Sequence, residues 1–464
     1  MPNPASHYDL PAELIAKYAT EGPRYTSYPT APEWRNDWTA EEAEKAIADN
    51  QAKNAGKPLS IYVHLPFCRR LCYYCGCHTV ITQRSDLVER YLTALELELA
   101  AMARRIPDRP VVQVHWGGGT PTHLSPEQIA RVYGAIARHF PIARDAEVSI
   151  EVHPGVTTRE QIETLAELGF NRIGMGVQDF DPVVQQAVNR VQSFEQTFDL
   201  VQLARQLGFE SVNVDLIVGL PHQSLGGFGQ TLDLVEQLAP DRLAVFSYAH
   251  VPWLKPHQKA IDSEALPGPA EKAALFDMTL DRLLARGYRY IGLDHFALPE
   301  DELSRAQDDR TLRRNFMGYT TRADSDLVGF GASSISDWDD TYLQNARGLP
   351  EYFAAVEAGR IPVTRGVRLT RDDRIRRDVI NRLMCHGFLS PDEIEAAHGI
   401  SFEPYFADEL VALEGLIDDG LLEISASGYR VTPVGQRLIR NVAMTFDAYR
   451  RHPAPEGPRY SQTV

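Results

Sequence analysis

The chain has 464 residues, of which 44% are hydrophobic and 24% are charged, a composition typical of folded proteins and not of disordered or fibrous ones. Its 47 Lys and Arg against 63 Asp and Glu give a formal net charge of −16, which disfavours binding to nucleic acid or to an anionic membrane. No stretch is apolar enough for a membrane span, and the start, MPNPASHYDLPAELI, lacks a signal-peptide pattern, so we expect a cytoplasmic protein.

Strands and helices are predicted to alternate along most of the chain. The first strand is expected at 60–63 (SIYV), and helical periodicity follows over 86–102. Further strands, separated by helical stretches, are predicted at 111–116, 147–152, 172–177, 212–218, 242–249 and 288–293. Repeated βα units indicate an α/β fold with a parallel sheet or barrel, in which functional side chains gather at the C-terminal ends of the strands.

Polar and small residues stand at the ends of several predicted strands. They are Gly117 to Thr120, Glu151, Gln178, Asp215 and Ala249. A triple glycine alone would indicate only a turn, but its position directly after a predicted parallel strand favours a binding role. These residues are therefore candidates for a common site.

The C-terminal part, from about residue 369, has a different pattern. Helices at 374–386 and 406–418, a stretch at 390–398 and strands at 421–424 and 429–432 resemble a winged helix, a fold that often binds DNA. Between Pro391 and Tyr429, however, there are ten Asp or Glu and no Lys or Arg, so a covering role fits better than DNA binding. We thus expect a segment 1–55 covering the barrel, a catalytic barrel at 56–368 and a C-terminal helical domain at 369–464.

Four of the five cysteines lie within ten residues, in the predicted loop after the first strand. Cys68, Cys72, Cys75 and Cys77 have the spacing C-x3-C-x2-C-x-C, whereas Cys385 lies in a predicted helix and is expected to be a core residue. Three thiolates can hold three corners of a four-iron cluster and leave the fourth iron open to a small ligand. The alternative is a zinc knuckle, but four thiolates in so short a segment are hard to wrap into one unstrained tetrahedron.

Longer motifs narrow the interpretation. They include RYTSYPT at 24–30, Cys75-Gly-Cys77, GGGTPT at 117–122, GVQDF at 176–180 and GLDHFA at 292–297. With these motifs the sequence resembles the radical S-adenosylmethionine enzymes, and within that superfamily the oxygen-independent coproporphyrinogen III oxidases of haem biosynthesis.

The resemblance implies a fold, a reaction and its cofactors. The fold would be a partial (β/α)6 TIM-like barrel followed by a mostly helical, winged-helix-like domain, with one 4Fe-4S cluster and two S-adenosylmethionine molecules. A 5′-deoxyadenosyl radical would take hydrogen from two propionates of coproporphyrinogen III in turn, and each substrate radical would lose carbon dioxide and one electron to leave a vinyl group of protoporphyrinogen IX. The implied partner is an electron donor such as flavodoxin or ferredoxin. We expect a monomer that binds neither nucleic acid nor a membrane.

The resemblance also assigns roles to single residues. Cys68, Cys72 and Cys75 would bind iron, Tyr62 and Cys77 are candidates for catalysis, and Arg24 is a candidate for binding the substrate. We do not expect Cys77 to bind iron, and Arg24 could instead only fix its segment to the barrel. The implied S-adenosylmethionine contacts are Tyr62, Tyr74, Gly118, Gly119, Thr120, Glu151, Gln178, Arg190, Asp215, Ala249, Phe316 and Ile335.

Two positions depart from the family pattern, and two alternative functions stay open. His153-Pro154-Gly155 stands where the family commonly has an Asp-Pro-Arg run, and Met317 stands where Gln is common. A haem chaperone of the same superfamily shares the three-cysteine motif but lacks the fourth cysteine and the RYTSYPT segment. A nucleic-acid-binding regulator with a redox cluster is disfavoured by the acidic charge.

Overall fold

The computed structural model describes residues 8–322, 324–451 and 460–463. Its strands are β1 (Leu59–Leu65), β2 (Phe67–Cys68), β3 (Val80–Ile81), β4 (Val111–Gly118), β5 (Ile142–Val152), β6 (Arg172–Gln178), β7 (Ser211–Val218), β8 (Arg242–Ser247), β9 (Arg289–Gly292), β10 (His295–Ala297), β11 (Arg313–Asn315), β12 (Gly318–Thr320), β13 (Asp326–Phe330), β14 (Ile335–Asp337), β15 (Thr341–Asn345), β16 (Val363–Arg368), β17 (Phe388–Leu389), β18 (Leu422–Ser425) and β19 (Gly428–Val431).

The α-helices are α1 (Ala12–Tyr18), α2 (Ala40–Asn54), α3 (Ser85–Arg105), α4 (Pro126–His139), α5 (Arg159–Glu167), α6 (Pro182–Ala187), α7 (Phe194–Gln206), α8 (Leu225–Leu238), α9 (Pro269–Ala285), α10 (Glu302–Asp308), α11 (Leu349–Glu357), α12 (Arg371–His386), α13 (Pro391–His398), α14 (Phe402–Tyr405), α15 (Ala407–Asp418), α16 (Pro433–Arg437) and α17 (Ile439–Met444). Among the described residues, none of these helices has the length and apolar character needed to cross a membrane.

One large sheet organises the molecule, with the strand order β16-β15-β14-β13-β1-β4-β5-β6-β7-β8-β10-β9. The pairs from β13 to β8 in this order are parallel. The six strands β1 and β4 to β8 are each followed in the chain by a helix, so the expected partial (β/α)6 barrel is confirmed.

The sheet differs from the sequence expectation on both sides of the parallel series β1 and β4 to β8. The strand predicted at 288–293 is β9, which pairs only with β10 and in the antiparallel sense, so it does not continue the parallel series. On the other side, β13 pairs in parallel with β1, although the residues between them in the chain span the whole barrel. Strands at edges depend on long-range pairing, which local patterns do not reveal.

The barrel helices begin where the sequence supplies caps. Ser125, Thr158 and Ser193 each accept a hydrogen bond from the third helical residue and complete a capping box with Gln128, Gln161 or Gln196. Alternate strand residues such as Val63, Val114 and Ile150 are buried in the core. The intervening positions carry polar side chains, which leaves the barrel interior available for chemistry.

The C-terminal region forms a second core. Helices α12, α13 and α15 pack with the small sheet β17-β19-β18, and Cys385 is buried there at 1% exposure, as predicted. Tyr25 and Tyr28 also belong to this core, whereas α2 contributes Ala46 and Ile47 to the barrel core. The described part of segment 1–55 therefore contacts both regions; residues 1–7 of that segment, and 452–459 and 464 of the expected C-terminal domain, lie outside the described residues.

Candidate active site

A cavity of about 880 Å³ opens at the C-terminal ends of the parallel strands. Its wall contains the cysteine loop after β1, the glycines after β4 and side chains from β5 to β8. The predicted site residues on this wall are Cys68, Cys72, Tyr74, Cys75, Cys77, Gly118, Gly119, Thr120, Glu151, Gln178, Arg190, Asp215 and Ala249. The fold thus brings residues from distant parts of the chain to one place.

The cysteine loop is held on one side by the segment after α6. The Tyr73 amide donates to the Val188 carbonyl at 3.0 Å, and Asn189 Nδ2 donates to the Leu71 carbonyl at 2.8 Å. Arg190 Nη1 lies 3.7 Å from Cys72 Sγ, and its Nη2 donates to the Gly176 carbonyl. Arg190 therefore places a fixed positive charge beside a candidate thiolate.

On the other side, the segment after β8 holds the same loop through its carbonyl groups. His257 Nε2 lies 2.8 Å from the Cys75 carbonyl oxygen, and Lys255 Nζ donates to that of Cys77 at 3.1 Å. Gln258 Nε2 donates to the carbonyls of Tyr74 and Ala249, both at 3.2 Å. The loop that carries the thiols is thereby attached to two separate strand ends.

The glycines after β4 allow a close backbone approach. A Cβ atom on Gly119 would lie 2.6 Å from the carbonyl carbon and oxygen of Pro66, and one on Gly118 would lie 2.6 Å from the His64 ring. Gly118 also has a φ of +111°, a conformation that strains any other residue. Next to them, the Thr120 hydroxyl lies 3.4 Å from Cys68 Sγ, so these glycines border the thiol group itself.

The thiol environment fits a cluster better than a single metal ion. Burial raises the pKa of Cys68 to about 11, whereas a hydrogen bond with Cys77, helped by the charges of Lys255 and His257, lowers that of Cys75 to about 6. Within residues 8–322, 324–451 and 460–463, no three Cys, His, Asp or Glu side chains converge closely enough for one metal ion. The three thiolates of a 4Fe-4S cluster bind different irons and need not converge on one point, so this arrangement is compatible with a cluster.

Two carboxylates, Glu151 and Asp215, stand on the inner wall, and the rings of His115 and Tyr62 lie behind Glu151. His115 Nε2 lies 3.5 Å from Glu151 Oε1, and the His115 ring stacks on Tyr62 with centroids 5.9 Å apart. Burial, together with the Glu151 charge, raises the pKa of Asp215 to about 7. The side chains of Glu151 and Asp215 are thus poised to receive a cationic ligand, because a positive charge would relieve their mutual repulsion.

Polar atoms without partners face the same space. Gln178 Oε1 and Arg190 Nε are buried and have no hydrogen-bond partner among the described residues. Gln178 also has a φ of +69°, a strained conformation for a residue other than glycine. A ligand with both an ammonium and a carboxylate, such as S-adenosylmethionine, would satisfy these atoms.

Four predicted residues lie off the cavity wall. Tyr62 is directly behind it, where its hydroxyl lies 3.1 Å from His64 Nδ1 and burial raises its pKa well above the usual value. Phe316 and Ile335 pack in a separate cluster with Trp34. The fourth is Arg24.

Arg24 forms an ion pair with Asp294. Its guanidinium carbon lies 5.9 Å from the centroid of Phe246, a residue that does line the cavity. Burial and the neighbouring charges of Arg314 and Arg440 lower the pKa of Arg24 to about 9. Arg24 thus stands behind the cavity wall with one carboxylate partner.

Sequence reasoning missed several side chains that hold the site. Asn189 directly precedes Arg190 in the sequence, and His64 lies four residues before Cys68. Lys255, His257 and Gln258 had no sequence signal, because they lie in an irregular segment whose role depends on its contact with the cysteine loop. The departure at His153 closes its own turn, since the Gly155 amide donates to His153 Nδ1 at 3.1 Å.

Comparisons with known proteins find similarity along most of the chain. The model of the Radical SAM superfamily matches residues 62–235, and that of the HemN C-terminal domain matches residues 369–438. Oxygen-independent coproporphyrinogen III oxidases of Synechocystis sp. and Escherichia coli are 47% and 45% identical to the chain, which covers 95% and 97% of them and is itself covered to 95% and 96%.

A solved structure gives the same result. Coproporphyrinogen III oxidase (HemN) from Escherichia coli, described as a radical SAM enzyme, superposes with a TM-score of 0.90 at 44% identity. The alignment covers 96% of this chain and 100% of that one. The similarity therefore includes both the barrel and the C-terminal region.

Proposed function

The chain belongs to the oxygen-independent coproporphyrinogen III oxidases of the radical SAM superfamily, and on that premise we propose how its residues carry out the family's reaction. The reaction is the oxygen-independent oxidative decarboxylation of two propionates of coproporphyrinogen III to vinyl groups, which gives protoporphyrinogen IX. The observation that carries the proposal is the single cavity that joins the three-cysteine loop to the glycines, Glu151 and Asp215.

A bound 4Fe-4S cluster and S-adenosylmethionine supply the one-electron reduction and the radical that removes a propionate hydrogen atom. In the proposal, Cys68, Cys72 and Cys75 hold the cluster. Arg190 offsets their negative charge, and His257 and Lys255 fix the loop through its carbonyls. Cys77 is exposed beside them and is left free for a role in turnover.

The wall opposite the thiols is proposed to bind S-adenosylmethionine. Gly118 and Gly119 allow the methionine end to lie close to the backbone, while Gln178 Oε1 and Arg190 Nε offer the unpaired polar atoms. Asp215 and Glu151 would receive the ammonium and the ribose hydroxyls. The proposal includes a second S-adenosylmethionine, although Phe316 and Ile335 pack against the cluster of Trp34 and do not line this wall.

Other residues protect and orient the reacting groups. Tyr62 stacks on His115, which in turn contacts Glu151, so Tyr62 is proposed as a positioning residue for the inner wall. Its buried hydroxyl keeps its proton, because burial and the Glu151 charge raise its pKa. The segment around Tyr25 and Tyr28 packs with the C-terminal core, and we propose that it limits the entry of water at the end of the barrel opposite the thiols.

A reducing donor such as flavodoxin or ferredoxin is part of the proposal. Arg69 and Arg70 are exposed directly after Cys68, and Lys255 lies on the same cavity rim. These cations would attract an acidic donor protein to the side of the molecule where electrons must enter. We further propose a cytoplasmic monomer that acts without nucleic acid or membrane, in keeping with the charge of −16.

An anaerobic assay tests the proposal. Reconstituted protein with S-adenosylmethionine and a reductant should convert coproporphyrinogen III to protoporphyrinogen IX with release of two carbon dioxide molecules, and Cys72→Ala should not. Haem binding is measured in parallel with the same preparation. Tight haem binding without turnover would contradict the oxidase and support the haem chaperone.

A further inference from the structure

A second cavity, of about 550 Å³, lies at the opposite end of the parallel strands. It is bounded by Lys57 before β1, the start of β13, the hairpin β11–β12 and the start of α12, with Tyr25 and Tyr28 on its wall. We call it the arginine cleft because six arginines line it: Arg313, Arg314, Arg322, Arg371, Arg374 and Arg377. Nothing in the proposed reaction so far uses it.

The arginine cleft is basic although the chain carries a net charge of −16. Its lining includes seven Lys or Arg side chains and four Asp side chains. Each of these carboxylates already has a cationic partner: Asp326 pairs with Lys57 and Arg109, Asp337 and Asp339 with Arg377, and Asp378 with Arg382 and His398. The acidic side chains are therefore not available to the remaining arginines.

Five guanidinium groups in the lining have no carboxylate within ion-pair distance in the part of the chain that the structure describes. They are Arg313, Arg314, Arg322, Arg371 and Arg374. The chain contributes them from two separate regions, the β11–β12 hairpin with the residues after it and the first turn of α12. Five uncompensated cations in one cleft repel one another unless an anion binds between them.

One of these arginines, Arg314, is largely buried and has an unpaired donor. Its side chain is only 8% exposed, and its Nη1 has no hydrogen-bond partner among the described residues. Arg322 Nε is likewise buried without a partner. Burying unpaired donors of a charged group is costly, so a ligand that accepts these hydrogen bonds would stabilise this arrangement.

The helix at the rim adds to the same field. Arg371 and Arg374 lie in the first turn of α12, where the positive end of the helix dipole disfavours cations. Both side chains are exposed to the cleft and to solvent. Thr370 and Asp373 already cap this helix end, so an anion here would interact with the two guanidinium groups.

We propose that the arginine cleft binds carboxylates of the tetrapyrrole substrate that are not reacting. This inference rests on the proposed function, because coproporphyrinogen III carries four propionates and the reaction consumes two of them. An overall acidic protein needs local cations to hold such a molecule, and guanidinium groups match carboxylates with two parallel hydrogen bonds.

The structure also connects the cleft to the active cavity. Arg314 Nε donates to the carbonyl of Arg24 at 3.3 Å, and the Arg24 guanidinium lies beside the Phe246 ring, which lines the active cavity. Arg24 thus links Arg314 in the cleft to Phe246 on the wall of the active cavity.

Direct binding of coproporphyrin III, the stable oxidised form of the substrate, tests the proposal on the reconstituted full chain without reductant. Arg322→Gln and Arg374→Gln should each weaken its affinity by roughly tenfold or more, the loss expected for a charge-assisted hydrogen bond. Arg138→Gln, an exposed arginine on α4 with no ion pair in the described structure, is the matched control and should bind normally. Iron content and thermal unfolding check that each variant is folded.

Two further probes identify the ligand chemistry. Coproporphyrin tetramethyl ester, which has no free carboxylate, should bind weakly and equally to the parent protein and both variants. If affinity for coproporphyrin III is unchanged in both variants, or if pyrophosphate binding alone is lost, the cleft does not hold propionates and the proposal is overturned. Absence of coproporphyrinogen III turnover in the parent protein, with arginine-dependent coproporphyrin binding intact, would instead contradict only the oxidase function.

Discussion

The active cavity and the arginine cleft lie at opposite ends of the same parallel strands and are built in different ways. In the cavity, the cysteine loop is tied down through its backbone by Asn189, His257 and Gln258. In the cleft, cations such as Arg314 and Arg374 lack carboxylate partners in the described structure. The first region is arranged before any ligand arrives, whereas the second is electrostatically complete only with an anion.

This difference follows from what each region has to do. A cluster and a radical need fixed positions, and errors of about 1 Å can cost on the order of a hundredfold in rate. A substrate with several carboxylates that must present two propionates in turn needs attraction without a rigid mould. Single substitutions, pH and salt should affect these two kinds of construction differently, and substitutions of the cluster ligands should have the largest effect.

The cysteine loop should tolerate no loss of a cluster ligand. Changing Cys68, Cys72 or Cys75 to Ala should abolish cluster binding and activity, because each thiolate holds a different iron. Iron and sulfide analysis with visible absorption measures the result, and Cys77→Ser serves as the control with normal cluster content. A full cluster in Cys72→Ala, or a large deficit in Cys77→Ser, would show that the ligands are assigned wrongly.

The glycine wall should be sensitive to a single methyl group. Gly119→Ala should lower turnover by about a hundredfold, since the new Cβ would lie 2.6 Å from the Pro66 backbone and displace the cysteine loop. Gly76→Ala, in the same loop but with no atom within 4 Å of the new Cβ, should keep normal turnover. Similar rates for both variants in the anaerobic assay would rule out close packing as the reason for Gly119.

The contact between the two regions is tested at Arg24. If its guanidinium also contacts a propionate, Arg24→Ala should weaken coproporphyrin III binding by roughly ten- to hundredfold, as expected for a lost charge-assisted contact. Asp294→Asn breaks the same ion pair but keeps the guanidinium, so it should retain affinity. Equal losses in the two variants would mean that Arg24 acts only through Asp294, as a structural residue.

The inner wall of the active cavity should depend on pH through Asp215. Its pKa of about 7 in the ligand-free protein means that the carboxyl is protonated below pH 7 and ionised above it. A cationic ligand favours the ionised form and lowers that pKa, so affinity for S-adenosylmethionine should fall by up to about tenfold per pH unit below 7 and level off above it. Calorimetric titration of the parent protein and Asp215→Asn measures this, and the variant should lose the dependence.

Ionic strength should change ligand affinity in the two regions by different amounts, and this is the smallest effect that we expect. Coproporphyrin III binding should weaken a few-fold on going from low to physiological ionic strength, because Arg371 and Arg374 are exposed and their charges are screened. S-adenosylmethionine binding, which depends on buried groups such as Asp215, should change less. Equal salt dependence of the two affinities would remove the distinction between the regions.

Much of the active cavity could be read from the sequence because its chemistry is local. Cys68, Cys72, Cys75 and Cys77 lie within ten residues, and the glycines and acids lie within or directly after strands whose alternation with helices is plain. Parallel strands place their C-terminal ends together, so a list of strand ends is nearly a list of site residues. The remaining parts of the site, such as Lys255 and His257, come from irregular backbone without a periodic signal.

The sequence by itself therefore determined the barrel, the thiol cluster and the family, since each depends on residues close in the chain or on a repeated pattern. Only the tertiary structure decided that β9 is an antiparallel edge strand and that β13 joins β1. It also decided that Arg24 pairs with Asp294 and that Arg314 and Arg374 meet in one cleft, where the described residues offer them no carboxylate partner. The physical reason is that charge compensation and strand pairing depend on which distant residues become neighbours, and neither composition nor spacing records that.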